Sequence, residues 1–181
     1  MLAITTKDGK ITKVPQEIRQ MSKLIDEALM DNSADDAEFN ASDVMEKELN
    51  LVIEYCSHYN FAKKETDIEH PLPSKDPKVF IKDVWERDFI TKLDLDGKSE
   101  LLMAANYFNI PALFELCCAS IAAFFKGKDF DKIKGDFGLG DIVYTPEDEE
   151  ALKKEYPWIM EQAEKKIAQI QSDIEKKQVI N

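Results

Sequence analysis

Three cysteines and two histidines are the first candidates for metal binding or nucleophilic catalysis in this chain of 181 residues. Zinc sites hold their ligands in closely spaced pairs, and no such pairing occurs among Cys56, His58, His70, Cys117 and Cys118. A nucleophilic cysteine also needs a histidine positioned beside it, and nothing in the sequence ties either histidine to a cysteine. We therefore predict no metal site, no cofactor and no catalytic residue, hence no enzyme.

Two partial motifs overlap between Lys92 and Met103. A phosphate-binding loop needs a glycine five residues before Gly97, where Lys92 stands. A calcium-binding loop would place Asp94 and Asp96 correctly, but Lys92 and Met103 occupy its first and twelfth positions, which must carry carboxylates. Neither motif is complete, so the sequence predicts neither a nucleotide site nor a calcium site.

Acidic residues dominate the charge of the chain, with 36 Asp and Glu against 24 Lys and Arg and a net charge of -12. They occur in exposed-looking runs without the apolar flanks that would raise a carboxyl pKa for catalysis. A strongly negative chain also repels nucleic acid and anionic membranes. We therefore expect protein partners, with no nucleic acid, no membrane and no small-molecule substrate.

The first third of the chain predicts a small sheet and two helices. Residues 2–14 alternate apolar and polar side chains around Asp8-Gly9, a strong hairpin signal. Residues 16–30 carry apolar side chains at helical spacing, a short strand is predicted at 38–40, and Ser42 is the predicted cap of a second helix that reaches Tyr59.

Beyond residue 59 a proline-containing segment separates these elements from a series of helices. Residues 60–83 have mixed charge and no period, which predicts a mobile surface loop. Short helices are predicted around 83–93 and 97–108, and Pro111 starts a helix that Gly127 ends. Thr145-Pro146 opens a long final helix predicted to continue past Trp158.

Residues 101–125 concentrate apolar side chains in a chain that is 33% charged. Their length approaches that of a membrane span, but Asn106, Asn109, Pro111 and Glu115 interrupt the run, which favours two helices of a globular protein. On a helical wheel one face of residues 112–125 carries Leu113, Leu116, Cys117, Ser120 and Phe124. The adjacent face carries Phe114, Cys118, Ile121 and Phe125, which is either covered by the final helix or offered to a partner.

The stretches LLMAANYFNIPALFELC, FFKGK and TPEDEEALKKEYPW together resemble the Skp-type adaptors, which link F-box proteins to the cullin of ubiquitin ligases. The hairpin and LNLVIEYCSHY extend the resemblance over nearly the whole chain. It implies an α+β fold: a BTB/POZ domain at 1–125, with a small sheet, a mostly helical body and the mobile loop 60–83. C-terminal dimerisation helices that bind the F-box, with an extended helical tail, follow at 126–181.

The resemblance also implies sites and a function. Asn106 and Tyr107 would contact the cullin, and the F-box would contact Leu102, Phe114, Cys118, Ile121, Phe125 and Trp158. The chain would then be a non-catalytic adaptor that links an F-box protein to a cullin, in the cytoplasm and nucleus. The alternative is a structural subunit that binds an F-box-like protein in a larger assembly without a cullin.

The C-terminal tail departs from this family, whose members tend to end shortly after the tryptophan. Here apolar residues continue at helical spacing through Ile159, Ala163, Ile167, Ile170 and Ile174. We expect this stripe to pack on a partner.

Overall fold

A computed structural model describes residues 1–30, 37–138 and 145–158, together with 162, 165 and 166. The chain divides into two units, Met1–Lys128 and Asp129–Asn181. Among the described residues, the first unit holds the sheet, six α-helices and the hydrophobic core. The predicted α+β class is therefore confirmed.

The sheet has three strands in the order β2-β1-β3. Strands β1 (Leu2–Thr6) and β2 (Ile11–Val14) form the predicted antiparallel hairpin, and β3 (Ala37–Ala41) pairs with β1 in parallel. Gly9 has φ +74° in the connecting turn, a conformation that glycine adopts without steric cost. Alternate residues of β1 point into the core, which fixes the register of the sheet.

The single helix predicted over residues 16–30 is wrong, because two elements occupy this segment. A 3-10 turn spans Gln16–Gln20, and helix α1 spans Lys23–Ala28. Ser22 separates them, and its hydroxyl accepts a hydrogen bond from the Ile25 N–H at 3.2 Å. A serine side chain that bonds the following backbone favours a new helix start over the helix interior.

Helix α2 spans Glu46–His58 and begins later than predicted. Ser42 does not cap it. Instead the Glu48 carboxylate accepts a hydrogen bond from the Met45 N–H at 2.8 Å, which satisfies an amide at the open helix end. The buried face of α2 is formed by Leu49, Val52, Tyr55 and Cys56.

The predicted loop at 60–83 is wrong for its last residues. Pro77–Phe80 form helix α3, whose first turn is capped by Asp76, and Phe80 and Ile81 are buried in the core. Helix α4 (Val84–Thr91) follows directly, because the Asp83 carboxylate accepts hydrogen bonds from the N–H groups of Trp85 and Glu86. The C-terminal end of this loop is therefore held by side chains buried in the core.

Helices α5 (Leu95–Tyr107) and α6 (Pro111–Phe125) pack against each other and confirm the two helices predicted from the apolar run. Leu101, Leu113 and Leu116 lie in the core with at most 1% of their surface exposed. Gly127, with φ +80°, follows the end of α6 as predicted. In the described part of the chain no helix is long and apolar enough to cross a bilayer.

The second unit contains α7 (Phe130–Asp136) and α8 (Pro146–Glu155). Thr145 forms the predicted capping box with Asp148. The sequence predicts a final helix that runs past Trp158, and the structure interrupts it once: α8 ends at Glu155, and residues 157, 158, 162, 165 and 166 are helical again. Tyr156 has φ −126° and ψ 63°, outside the helical region, and Pro157 disfavours helical backbone at the residue before it.

Candidate protein-binding surfaces

A tight turn joins α5 to α6 and shapes the surface where cullin contact is predicted. The Asn109 N–H donates to the Asn106 carbonyl at 3.0 Å, and the Ile110 N–H donates to the Ala105 carbonyl at 2.9 Å. This pair of bonds is the Schellman pattern, which needs a left-handed residue after the helix. Asn109 supplies it with φ +51°, a conformation that asparagine tolerates better than most residues.

Ser22 fixes this turn to the rest of the first unit. Its buried hydroxyl donates to the Phe108 carbonyl at 2.6 Å while accepting from the Ile25 N–H. The Lys23 N–H also donates to the Asn109 carbonyl at 3.3 Å. One hydroxyl thus caps α1 and satisfies a buried carbonyl at the end of α5, so the turn is held by a residue distant in sequence.

Asn106 and Tyr107 lie next to each other at the C-terminal end of α5. Asn106 contributes to the turn through its backbone carbonyl, and its side chain is exposed. Tyr107 is half-buried: its hydroxyl donates to the Asn40 carbonyl at 3.4 Å, and its ring meets Phe108 edge-on at 5.2 Å. The end of α5 therefore presents an amide beside a phenol whose position is fixed by the sheet and the core.

One face of α6 offers an apolar surface, which we call the α6 stripe: Phe114, Cys118, Ile121 and Phe125. Phe114 is 38% exposed and the other three are half-buried. The adjacent face, with Leu113, Leu116, Cys117 and Ser120, is buried as expected. The helix thus uses one face for the core and leaves the other partly accessible.

Phe124 is the exception to the predicted core face. It is 37% exposed, and Ala123 packs into the core in the same turn. The Lys128 Nζ lies 3.3 Å from the centroid of the Phe124 ring. A cation over the ring face stabilises an aromatic side chain outside the core.

The other two predicted F-box contacts lie outside α6. Leu102 is half-buried on α5 and packs against the core. Trp158 belongs to the second unit and is 56% exposed. The structure therefore brings four predicted residues together on the α6 stripe, while the approach of Trp158 to them stays a prediction. The predicted tail contacts Ile159, Ile167, Ile170 and Ile174 lie outside the described residues.

Two contacts that sequence reasoning missed bring the loop before α3 to the side of α6. His70 pairs with Glu115, and the Lys126 Nζ donates to the Leu72 carbonyl at 2.8 Å. Glu115 lies near the start of α6 and Lys126 directly follows its last residue, so the two contacts are about three helical turns apart. Glu115 is the only acid in the otherwise apolar α6. Its presence was the one sequence signal that a polar group contacts this side of the helix.

The cysteines are protonated in this environment. Burial raises the pKa of Cys56 and of Cys117 to about 12, and burial followed by the Glu115 charge raises the pKa of Cys118. A nucleophilic cysteine requires the opposite shift. Within the described ranges no cluster of histidine, cysteine and carboxylate side chains could hold a metal ion. What these surfaces offer is apolar contact and hydrogen bonding to another protein.

The fold and its surfaces define a protein-binding module of the POZ type with additional C-terminal helices. Comparison with protein families agrees: the tetramerisation (POZ) domain of the Skp1 family matches residues 1–61, and the dimerisation domain of the same family matches residues 111–159. The chain belongs to the Skp1 family.

Curated relatives match over most of their length. "SKP1-like protein 12" of Arabidopsis thaliana is 32% identical over 89% of this chain and 97% of its own. "SCF ubiquitin ligase complex protein SKP1b" of Dictyostelium discoideum is 30% identical over 87% and 94%. "E3 ubiquitin ligase complex SCF subunit sconC" of Emericella nidulans is 28% identical over 87% and 95%.

Proposed function

We propose that this protein is an adaptor that joins an F-box protein to the cullin of a ubiquitin ligase. The observation that supports the proposal is that the predicted cullin contacts and five of the six predicted F-box contacts belong to one helical hairpin. The Asn106 and Tyr107 pair ends α5, the α6 stripe follows across the Schellman turn, and Ser22 fixes that turn. The relatives from Dictyostelium discoideum and Emericella nidulans are named as subunits of ubiquitin ligase complexes, which supports the same role.

A rigid hairpin is the property that such an adaptor needs. Holding two proteins at a fixed separation raises the effective concentration of one relative to the other, and misplacement by about 1 Å can cost a large factor in rate. The chain performs no bond-making step in this proposal, since the chemistry lies on the partners it positions. We propose that it acts in the cytoplasm and nucleus.

Copurification with matched variants tests the two surfaces separately. We expect Asn106→Lys with Tyr107→Lys to abolish recovery of the cullin while F-box proteins remain bound. Phe114→Lys with Ile121→Lys should give the reverse result. Asn50→Lys, an exposed asparagine on α2, is the control for added charge.

Tyr107 is half-buried, so Asn106→Lys alone is the variant that leaves the fold unchanged; circular dichroism would verify folding. Recovery of an F-box-like protein without any cullin from the wild-type chain would contradict the proposal. That result would instead indicate the structural subunit considered from the sequence.

A further inference from the structure

The loop that precedes α3 is held against one side of α6, and we call its residues 68–73 the strap. Its Leu72 side chain is half-buried and packs against the core. His70 pairs with Glu115 near the start of α6, and the Leu72 carbonyl accepts a hydrogen bond from the Lys126 Nζ at 2.8 Å, directly after the helix ends. The strap is therefore joined to α6 near both ends of the helix and is also packed on the core.

The side of α6 that holds the strap adjoins the α6 stripe. At about 100° per residue, Glu115 lies about 60° around the helix from Cys118 of the stripe. Ala122 comes about two turns after Glu115, hence on the same side of the helix, and is exposed. Lys126 directly follows Phe125, the last residue of the stripe. Both contacts of the strap therefore lie beside the stripe.

The strap presents proline rings to solvent. Pro71 and Pro73 are exposed on either side of the half-buried Leu72. A proline side chain loses almost no rotamer freedom when a partner covers it, so contact with these rings costs little conformational entropy. Glu69 is the only ionisable residue of the strap besides His70, which is paired with Glu115. What the strap offers to a partner is therefore mainly apolar surface.

The width of a helix favours one partner on both surfaces. The α6 stripe is a single row of side chains along α6, whereas a helix with its side chains is about 10 Å wide. A helical segment that occupies the stripe therefore reaches the elements beside it. On the side of Glu115 and Lys126 the element beside the stripe is the strap, with its exposed Pro71 and Pro73.

We propose that the strap forms a second wall of the F-box site, so that the segment bound to the α6 stripe also contacts Pro71 and Pro73. His70 is a positioning residue in this arrangement, because its pairing with Glu115 holds the wall in place before the partner arrives. The inference rests on the proposed function, from which it takes the F-box as the occupant of the stripe.

Binding of a labelled F-box protein to the full chain tests the role of His70. The probe is one F-box protein recovered with the wild-type chain by copurification, labelled with fluorescein at its N-terminus and followed by fluorescence anisotropy. His70→Ala should raise its Kd by about threefold to tenfold, because the partner must then order the strap as it binds. Circular dichroism would verify that the variant is folded.

Two further variants separate positioning of the strap from a general effect on the loop. His70→Lys keeps a cation opposite Glu115 and should bind the probe as the wild-type chain does. Lys82→Ala removes the ion pair with Asp67, at 3.8 Å, which holds the same loop outside the strap. This matched control should leave the Kd of the probe unchanged.

Amide exchange reports contact with the strap directly. We expect the F-box protein to slow exchange at residues 68–72 of the wild-type chain and to leave the β1–β2 hairpin unaltered. A residue with a structural role alone would not give this protection.

The outcomes distinguish this inference from the proposed function. An unchanged Kd for His70→Ala, or unchanged exchange at residues 68–72, would overturn the second wall while the F-box site on α6 stands. Tighter binding by His70→Ala would also overturn it, since the strap would then obstruct the stripe. If no F-box protein binds the wild-type chain, the proposed function fails and the inference fails with it.

Discussion

The helices of the two units differ in how much of their surface is buried. In Met1–Lys128 the sheet and helices share a core that includes fully buried side chains such as Ile4, Leu49, Leu101 and Leu113. In the second unit, none of the described residues is buried, and Leu152, Tyr156 and Trp158 are between 39% and 56% exposed. The first unit has a buried core, whereas the described helices of the second are recognisable by their capping residues and by the placement of charge along α8.

This difference means that the described helices of the second unit lack the buried core that supports the first. A short helix in water is marginal without tertiary packing. Helix α8 carries acids in its first turn and lysines in its last, which favours the helix through its dipole. We infer that the second unit gains most of its stability when a partner covers its apolar residues.

A leucine-to-alanine substitution in each unit should give the largest difference in unfolding free energy between the two units. Leu113 is fully buried on α6 and Leu152 is 43% exposed on α8. Leu113→Ala should lower the free energy of unfolding by about 2–5 kcal/mol, because it removes buried methyl groups and leaves a cavity. Leu152→Ala should change it by less than about 0.5 kcal/mol. Urea unfolding followed by circular dichroism measures both, and equal losses would show that the units share one core.

Ser22 tests how strongly the α5–α6 turn depends on a single hydroxyl. Ser22→Ala should cost about 1–3 kcal/mol of unfolding free energy, because it removes the α1 cap and leaves the buried Phe108 carbonyl without its donor. Ser99→Ala is the matched control, since Ser99 is an exposed helical serine. A loss no greater than that of the control would mean that water replaces the hydroxyl.

Periodicity and turn chemistry predicted most of the first unit because they reflect local physics. The hairpin around Gly9, the start at Pro111 and the stop at Gly127 each follow from backbone preferences of one residue. The division of the first predicted helix at Ser22 could not be predicted, since it depends on a bond to Phe108, 86 residues away. The late start of α2 accompanies a hydrogen bond from the Met45 N–H to the Glu48 carboxylate, a choice of cap that residue preferences alone did not distinguish from Ser42.

The α6 stripe was predictable in outline because helical spacing separates its residues from the core face. The position of Phe124 was not, since its exposure accompanies a contact with Lys128 beyond the helix end. The loop contacts of Glu115 and Lys126 join segments distant in sequence. Such juxtapositions depend on tertiary packing, which no local pattern encodes.

Asp83 links the stability of the first unit to pH. Partial burial alone would raise the pKa of this carboxyl, but the N–H groups of Glu86 and Trp85 and the Tyr59 hydroxyl lower it below its usual range. A lowered pKa in the folded state contributes stability above the unfolded value of about 3.9, and this contribution is lost as the pH falls below it. Asp83→Ala should cost about 1 kcal/mol at pH 7 through loss of the α4 cap.

Urea unfolding at a series of acidic pH values would measure the contribution of Asp83 to the free energy of unfolding. The difference between the wild-type chain and Asp83→Ala should shrink as the pH falls below about 4. Asp83→Asn, which retains a capping side chain but no titrating group, should show a difference from Asp83→Ala that is independent of pH. If the difference in unfolding free energy between the wild-type chain and Asp83→Ala stays constant down to acidic pH, the charge of Asp83 does not contribute to stability.

Thr145 provides the smallest and most local test of the contrast between the units. Its hydroxyl accepts from the Asp148 N–H at 3.2 Å, and its own N–H donates to the Asp148 carboxylate at 3.0 Å. Thr145→Ala should weaken α8 by about 1 kcal/mol, since it removes one half of the capping box. Because the capping box joins only residues of α8, we expect the global unfolding midpoint to stay unchanged. Amide exchange should therefore accelerate in α8 and stay unaltered in α5 and α6. Faster exchange in α6 as well would show that the two units unfold together, and that the core of the first depends on the helices of the second.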